Sequence, residues 1–366
     1  LTDPSFVYKT VAGSLFPQTP SHANEFQGEL GDCYFISSIG TIADSNPAAI
    51  ENMIVDNGDG TYTVRFYTGT YGSAYNASNG SWSDGFVNGA GTADYVTVDA
   101  KLPTTASGML VYADYGASAT STGNSLWIPL LEKAYAEWNQ TGKEGRNGQN
   151  SYASIEGGWM ATVDAQVLGH NATDYSMTDA DKQYAISALA AHQAVTIGTA
   201  YANYGLVASH AYAITGYNAS TDTFTLYNPW GFDQPGQLSW SQLEATCDGF
   251  VVASTAGSTS ISSSVAKASF GPSSVSTMTD LPVAQPADRS SSVIAVQAED
   301  TTEVVHANQT CATAEASDEF WLAGGGLVDD GVDGEVFDLT PEAFDAVFNG
   351  EGSGECDAAA AVCLAV

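Results

Sequence analysis

The chain has 366 residues, of which 44% are hydrophobic and 11% aromatic, enough for a sizeable core in one or two folded domains. Its 42 acidic and 9 basic residues give a formal charge of −33, a field that repels phosphate backbones and argues against nucleic-acid binding. The mean hydropathy is −0.07, and no apolar run approaches the length of a membrane span.

In chain order, the first predicted element is a helix in DCYFISSIGTIADSNP, whose apolar residues recur at helical spacing. Asp32 is placed as its N-cap, and the Asn46-Pro47 step ends it. The alternation in TYTVRFY (61–67) predicts a strand after the turn-forming NGDG. A second strong helix is predicted in LWIPLLEKAYAEWN (126–139), because its apolar residues share one face.

Further along, QYAISALAAHQ is typical of a helix leading into the strand AVTIGTA, and the strands HAYAITGY and TFTLYNPW flank the loop NASTD. Helices dominate the front and strands the back, which predicts an α+β class with two lobes. We expect residues 1–172 to form a helical lobe and residues 173–255 a β-rich lobe. Residues 256–300 have the Ser/Thr-rich composition of a linker, and residues 301–366 form an acidic C-terminal segment of unknown role.

Cys33 lies in the first turn of the first predicted helix, directly after QGELGD. Backbone N–H groups and the helix dipole at that position favour a thiolate, the form in which cysteine is a nucleophile. Gln27 is a candidate side-chain donor for an oxyanion hole beside the Cys33 N–H, and Gly28 and Gly31 would let the backbone approach a substrate closely. The alternative interpretation is a buried, inert cysteine on an apolar helix face.

Among the five histidines, His210 begins a strong strand, whereas the others fall in loop-like stretches or end a helix. A hairpin register centred on Ala219 places His210 directly opposite Asn228. An amide oxygen there would accept the imidazole N–H and hold one tautomer, the role of the third group in a catalytic triad. A one-residue slip would turn Asn228 to the other face, and a structural histidine with a polar strand-end cap is the alternative.

Other patterns narrow the choice of site. The five cysteines include no CxxC pair, which disfavours zinc and thioredoxin-type sites, and the four besides Cys33 form two disulfides or none. VDDGVDGEVFDLT fails as an EF-hand loop because Thr340 stands where a bidentate Glu belongs. The large negative charge either serves solubility or reflects the binding of calcium ions. The first residues, LTDPSF, lack Met and lead us to expect a fragment or a processed product.

Four segments together, in this order, resemble the catalytic core of the calpain family of cysteine proteases. They are QGELGDCYF, SLWIPLLEKAYAEWN with SYASIEGG, GLVASHAYAITGY and LYNPWG, and DYVTVDAKLPT resembles the family's acidic strand and turn before the second helix. The resemblance covers roughly residues 20–255. It implies a papain-like fold in which a helical lobe carries the nucleophile, a β-rich lobe carries His and Asn, and the cleft lies between them.

The resemblance places the family's catalytic Cys, His and Asn on Cys33, His210 and Asn228. Its oxyanion-hole Gln falls on Gln27, and the tryptophan that wedges between the lobes without calcium falls on Trp230. It implies a calcium-dependent cysteine endopeptidase acting on protein or peptide substrates. Calcium is the expected cofactor and would align the lobes, but no ligand is assigned.

The chain departs from the family in two places. Tyr34 stands where the family usually has a Trp after the nucleophile, and the residues after 255 resemble neither the C2-like nor the EF-hand domains. Two other functions are considered: a catalytically inactive calpain-like binding module, and a papain-like transferase such as a transglutaminase. The natural substrate, compartment and oligomeric state are left undetermined by the sequence.

Overall fold

A computed structural model describes the chain at Leu1 and at residues 5–256, 322–323 and 326–327. Residues 5–256 contain six α-helices: α1 (Cys33–Ser45), α2 (Pro47–Glu51), α3 (Trp127–Asn139), α4 (Met160–Leu168), α5 (Lys182–Ala190) and α6 (Trp240–Glu244). The strands of the same part are β1 (Val7–Thr10), β2 (Ile54–Asp56), β3 (Thr61–Thr68), β4 (Tyr71–Asn76), β5 (Ser81–Phe86), β6 (Thr92–Asp99), β7 (Lys101–Thr104), β8 (Ala172–Tyr175), β9 (Ala194–Thr199), β10 (Ala211–Asn218), β11 (Thr223–Tyr227), β12 (Gln237–Ser239) and β13 (Cys247–Ala253). This mixture of helices and sheets confirms the α+β class.

Helix α1 forms where the apolar spacing predicts it, with Asp32 at the N-cap position and Asn46 at the C-cap. Residues 33–43 are all buried, so α1 is a central helix surrounded by protein on every side. The expected side-chain cap is absent, because the Asp32 carboxyl makes no capping hydrogen bond to the first turn. The backbone carbonyl of Asp32 instead accepts from the N–H of Phe35 at 2.8 Å.

Strands β2, β3 and β6 form a small antiparallel sheet that packs against α3, which confirms the strand and the helix predicted in this part of the chain. Large aromatic side chains fill the space between them. The Phe66 ring of β3 lies 4.8 Å from that of Trp138 and 5.5 Å from that of Tyr135, and on the other side of α3 the Phe35 ring of α1 lies 4.4 Å from that of Tyr135. Burial of such rings is a main source of folding free energy.

A larger sheet has the strand order β12-β11-β10-β9-β13-β8-β5-β4, and its neighbouring strands pair antiparallel. The predicted strands AVTIGTA, HAYAITGY and TFTLY become β9, β10 and β11. The hairpin of β4 and β5 was not predicted. Strand β4 lies at the sheet edge and is largely exposed, so it lacks the apolar alternation that marks a half-buried strand.

The buried side chains fall into two hydrophobic clusters. The first surrounds α1 and α3, and the second lies among β9, β10, β11, β13, α5 and α6. Neighbouring residues of β10 belong to different clusters: Ala211 to the first and Tyr212 to the second. The alternation of side chains along a strand therefore places β10 between the two cores.

The larger sheet spans the boundary expected between residues 172 and 173, since β4 and β5 precede it and the other strands begin at or after Ala172. Of the expected linker (256–300) and acidic segment (301–366), nearly all residues lie outside the described part. In a second compact unit, strands β14 (Leu322–Ala323) and β15 (Gly326–Leu327) pair antiparallel. Within the described part, no helix has the length and apolar character required to span a membrane.

Candidate active site

Cys33 opens helix α1, and 7% of its surface is exposed. It carries a thiol rather than a disulfide, as does Cys247. Burial raises the pKa of Cys247 to about 12, which makes that thiol inert at neutral pH. Cys33 instead stands at the positive end of a helix dipole, so the two buried cysteines occupy contrasting surroundings. The remaining cysteines, Cys311, Cys356 and Cys363, lie outside the described residues.

Helix α1 is hydrogen-bonded to the strand that follows His210. Ser37 lies one turn after Cys33 on the same face of the helix. Its hydroxyl donates to the backbone carbonyl of Ala211, the residue after His210, at 3.0 Å in a buried position. The helix face that carries Cys33 therefore packs against the start of β10, where His210 lies.

The backbone of His210 is fixed by Thr199 of the neighbouring strand β9. The His210 N–H donates to Thr199 Oγ1 at 3.0 Å, and the Thr199 N–H donates to the His210 carbonyl at 2.9 Å. Ser209 has a φ of 51°, a left-handed conformation that is costly for a residue other than glycine. Its N–H donates to the Thr199 carbonyl at 2.8 Å, so the strained turn is held in place directly before the histidine.

The side chains of His210 and Asn228 meet directly, with His210 Nε2 2.9 Å from Asn228 Oδ1. The backbone N–H of Trp230 also donates to Asn228 Oδ1, at 3.1 Å, which identifies this atom as the amide oxygen. An oxygen can only accept, so Nε2 carries the proton in this pair. Both residues are buried, at 3% and 0% exposure, and little water competes for the bond.

The hairpin register differs from the predicted one. Near the site, Ala213 of β10 lies opposite Tyr227 of β11. If this register is continued by one residue, Tyr212 lies opposite Asn228, whereas the prediction placed His210 there. The predicted direct pairing is therefore wrong by two residues, and a β-bulge shifts the register again beyond Ile214. A shift of two keeps the same face of the sheet, so His210 and Asn228 are diagonal neighbours that still meet.

Trp230 and Gln234 complete the surroundings of this pair. The Trp230 ring lies 4.8 Å from the His210 ring and is 2% exposed, so it covers the imidazole. Gln234 was not identified from the sequence, because nothing in the local pattern distinguishes it. Its Oε1 accepts from the Asn228 N–H at 2.8 Å and its Nε2 donates to the Asn228 carbonyl at 3.2 Å. The amide of Gln234 thus holds the Asn228 backbone from both sides.

Gln27 lies in the loop before α1 and is 3% exposed. Its backbone N–H donates to the carbonyl of Pro229 at 2.9 Å, which joins this loop to the turn after Asn228. Its side-chain Nε2 donates to the carbonyl of Leu30 at 2.6 Å. The structure thus brings the segments of all four sequence-predicted residues together through two contacts, Ser37 to Ala211 and Gln27 to Pro229.

The role expected for Gly28 is different in the structure. A Cβ atom on Gly28 would lie 2.1 Å from the carbonyl oxygen of Val111, so the close approach is to the protein's own backbone and not to a substrate. The N–H of Glu29 donates to the same carbonyl at 2.9 Å. Gly28 is required because the loop before Cys33 packs tightly on the loop around Val111.

Tyr34, the residue after Cys33 at which the chain departs from the family pattern, is held by hydrogen bonds of its hydroxyl group. Its hydroxyl donates to the carbonyl of Ile155 at 2.8 Å, and the guanidinium of Arg146 donates to that hydroxyl at 3.3 Å. Arg146 also donates to the carbonyls of Glu156 at 2.8 Å and Gly157 at 2.7 Å. The N–H of Gly157 in turn donates to the carbonyl of Gly31, so this network reaches the nucleophile loop.

A metal site is not evident around these residues. Between residues 5 and 256, no three His, Cys, Asp or Glu side chains gather in a group that could hold a metal ion. Calcium in proteins takes six to eight oxygens, usually including several carboxylates. The described residues therefore do not fit a carboxylate-rich calcium site.

Comparison with known proteins gives a consistent result. The family described as "Calpain family cysteine protease" matches residues 9–246. The chain is 25% identical over 240 residues to "Calpain clp-1" of Caenorhabditis elegans, and this alignment covers 62% of this chain and 27% of that protein. It is 25% identical over 233 residues to "Calpain-9" of Rattus norvegicus, covering 59% and 28%.

A bacterial relative is also found. A "Thiol protease" of Porphyromonas gingivalis is 25% identical over 231 residues, covering 57% of this chain and 44% of that protein. The matching part of the chain thus spans less than half the length of each of these three relatives.

Proposed function

Because the chain belongs to the calpain family of cysteine proteases, we propose that it hydrolyses peptide bonds with Cys33 as nucleophile and His210 as acid and base. Asn228 is the orienting residue. The observation that carries this proposal is the bond of 2.9 Å between His210 Nε2 and Asn228 Oδ1. It commits one ring nitrogen to Asn228, and this supports our proposal that the other, Nδ1, exchanges the proton with Cys33.

In the proposed mechanism, a Cys33 thiolate paired with protonated His210 attacks the scissile carbonyl. The start of α1 favours the thiolate, and the Asn228 amide holds the imidazole in the required orientation. Proton transfer from Nδ1 to the leaving amine then releases the first product. Water, deprotonated by the same nitrogen, hydrolyses the thioester and regenerates Cys33.

Gln27 and the Cys33 backbone N–H are proposed to bind the oxyanion of the tetrahedral intermediate. A side-chain amide has two N–H donors, and the Leu30 carbonyl takes one of those of Gln27. The second is assigned to the oxyanion. The Leu30 bond and the backbone bond to Pro229 would hold Gln27 before substrate arrives, which is the preorganisation that such a site needs.

We also propose that the two hydrophobic clusters correspond to two lobes with the cleft between them. The Gln27 N–H joins the loop before α1 to the turn after Asn228, and Ser37 joins α1 to β10, the strand that lies between the two clusters. Calcium dependence remains a proposal supported by the family resemblance alone. Since the described residues offer no carboxylate cluster, no step of the mechanism uses the ion.

Protein or peptide chains are the proposed substrates. The relatives are named as calpains and a thiol protease, and the matched part of the chain corresponds to a fraction of each of them. The net charge of −33 would favour basic over acidic substrate segments.

The proposal is tested by casein cleavage with the full chain, in calcium and in EGTA. Cys33→Ala should abolish cleavage, because the attacking sulfur is lost. Cys247→Ala is the matched control: it removes a buried thiol of high pKa and should retain activity. Peptide mapping after brief iodoacetamide treatment at pH 7 should find Cys33 modified and Cys247 unmodified.

Cleavage by a folded Cys33→Ala variant would refute the mechanism. A folded wild-type protein that cleaves nothing in either buffer, and whose Cys33 is not alkylated, would support the alternative of an inactive binding module.

A further inference from the structure

Three exposed aromatic side chains lie in or against the segments that carry the proposed site. Phe26 directly precedes Gln27 and is 42% exposed. Phe232 follows Trp230 by two residues and is also 42% exposed, and Tyr115 is 48% exposed. Large apolar side chains that are exposed together mark a surface that binds something. We call Phe26, Phe232 and Tyr115 the aromatic patch.

Contacts between three distant segments bring the aromatic patch together. A Cβ atom on Gly231 would lie 2.5 Å from Cδ1 of the Phe26 ring, so this ring packs directly on the turn that leads to Phe232. The Phe232 ring lies 5.8 Å from the Trp230 ring. The N–H of Tyr115 donates to the carbonyl of Phe26 at 3.0 Å. The patch is therefore built by the fold and is not a run of apolar residues along the chain.

The aromatic patch is continuous with the proposed catalytic residues. Trp230, the neighbour of the Phe232 ring, lies 4.8 Å from the His210 ring. Phe26 is bonded through the backbone to Gln27, the proposed oxyanion donor. One side of the patch thus adjoins the histidine, and the other adjoins the donor of the oxyanion hole.

The proposed reaction determines which part of a substrate meets this surface. The leaving amine receives its proton from His210, and the oxygen of the scissile carbonyl points to Gln27. The substrate segment that follows the scissile bond then starts between these two residues. Trp230 and Phe26 flank that point, so the leaving segment passes over the aromatic patch.

The surroundings of the aromatic patch are acidic. Glu29 and Asp233 are exposed, and Asp114 is half-buried. Residues 21–31, 111–119 and 228–236, which carry the patch and its neighbours, include no Lys or Arg. An apolar surface with an acidic border is complementary to a peptide that carries a large apolar residue beside a basic one.

We propose that the aromatic patch binds the leaving segment of the substrate and selects a large apolar residue directly after the scissile bond, followed by a basic residue. The inference rests on the proposed function and adds a substrate preference to it. The apolar side chain covers the exposed faces of Phe26 and Phe232 and removes apolar surface from water. The basic side chain lies at the acidic border.

Internally quenched peptides that differ at one position test this preference with the full chain. With Phe directly after the scissile bond, kcat/KM should be about tenfold higher than with Ala, at the low end of the roughly 10–200-fold effect of small apolar groups in hydrophobic pockets. With Phe retained, Arg at the next position should exceed Glu by about two- to fivefold, and added salt should reduce this ratio. Equal rates within either pair of peptides would overturn the proposal.

Substitutions in the aromatic patch should change the preference. Phe26→Ser and Phe232→Ser should each lower the ratio of the Phe to the Ala peptide by about three- to tenfold. A ratio is measured because a general effect on catalysis lowers both rates equally. Phe26→Leu keeps an apolar side chain and should retain most of the preference. Tyr75→Ser is the matched control, since this exposed ring packs 5.0 Å from Trp82 on the edge strand β4 and should leave the ratio unchanged.

A competition experiment isolates the leaving segment from the rest of the substrate. The acyl-enzyme formed from a peptide ester is divided between water and an added amine, phenylalaninamide or glycinamide. The amine nitrogen attacks the thioester carbon, its proton passes to His210, and the Cys33 sulfur is released. Because the acyl part is identical, wild type should form about tenfold more amide with phenylalaninamide, and Phe26→Ser and Phe232→Ser should lose most of this difference.

An unchanged Phe-to-Ala ratio in both folded serine variants, with folding checked by circular dichroism, would overturn the proposal. If light scattering then showed a dimer in wild type and a monomer in both variants, the aromatic patch would be a contact between copies of the chain. Neither result affects the proposed function, because cleavage would still require Cys33. Failure of the proposed function would appear separately, as undiminished cleavage by Cys33→Ala.

Discussion

His210 Nε2 and Asn228 Oδ1 lie 2.9 Å apart although the two residues are offset by two positions in the hairpin that carries them. The offset is an even number, so both side chains stay on one face of the sheet. The Trp230 N–H fixes the oxygen of the amide at that point, and the ring can then present Nδ1 to a partner across the site.

Asn228→Ala should lower kcat by about 10²-fold, at the low end of the 10²–10⁴-fold that acid–base catalysis contributes. The imidazole would lose its orienting acceptor and change tautomer, while substrate contacts, and so KM, would change little. Asn218→Ala is the control in the same hairpin, since its side chain only accepts from the Ser220 N–H in an exposed turn. Unchanged kcat in a folded Asn228→Ala variant would remove Asn228 from the mechanism.

Gln234→Ala should lower kcat by about three- to tenfold, because two neutral hydrogen bonds of roughly 0.5–1.5 kcal/mol each hold the Asn228 backbone. Gln237→Ala is a suitable comparison, as this exposed glutamine accepts from Thr223 and does not touch Asn228. Steady-state kinetics with both variants checks the prediction. Equal kcat for the two would mean that the turn holds Asn228 without Gln234.

Arg146→Met should lower the free energy of unfolding by about 2–4 kcal/mol, because three backbone carbonyls and the Tyr34 hydroxyl lose a charged donor. Lys143→Met removes a half-exposed lysine that pairs with Asp94 at 2.8 Å, and should cost at most about 1 kcal/mol. Urea denaturation measures both. A cost for Arg146→Met as small as that for Lys143→Met would show that the network contributes little to stability.

Stability should fall as pH rises from 5 to 7, in part through Asp164. Burial raises the pKa of Asp164 to about 8, so the folded state keeps a proton that the unfolded state loses near pH 4. Between these values the folded state binds more protons, and the free energy of unfolding decreases with pH. Asp164→Asn should reduce this slope by up to about 1.4 kcal/mol per pH unit.

The slope is measured by urea denaturation at pH 5, 6 and 7. Asp59→Asn is the control, because hydrogen bonds from Thr61 hold the pKa of this exposed carboxyl below its usual value and it does not titrate in this range. A slope that is the same in wild type and Asp164→Asn would mean that Asp164 is ionised in the folded protein.

Much of the fold could be predicted from the chain because its signals are local. The apolar spacing after Asp32 marks α1, and the alternation at 61–67 marks β3. The edge hairpin of β4 and β5 was missed because an exposed strand has no apolar face to reveal it. The direct pairing of His210 with Asn228 was wrong because the strands pair around a turn centred between Ser220 and Thr221 and not on Ala219, and no residue type announces that centre.

The candidate site also has one part that the local sequence predicts and another part that only the packing of the chain decides. The residue types Cys33, His210 and Asn228, and the helix and hairpin that carry them, follow from neighbours along the chain. The partner of the Asn228 backbone comes from packing, because Gln234 reaches Asn228 through the folded turn. Apolar periodicity and capping patterns reflect interactions between residues that are close in sequence, so they can be recognised in the sequence. The bond from the Gln27 N–H to the Pro229 carbonyl joins two loops that are far apart along the chain, and such a contact is decided only when the chain packs.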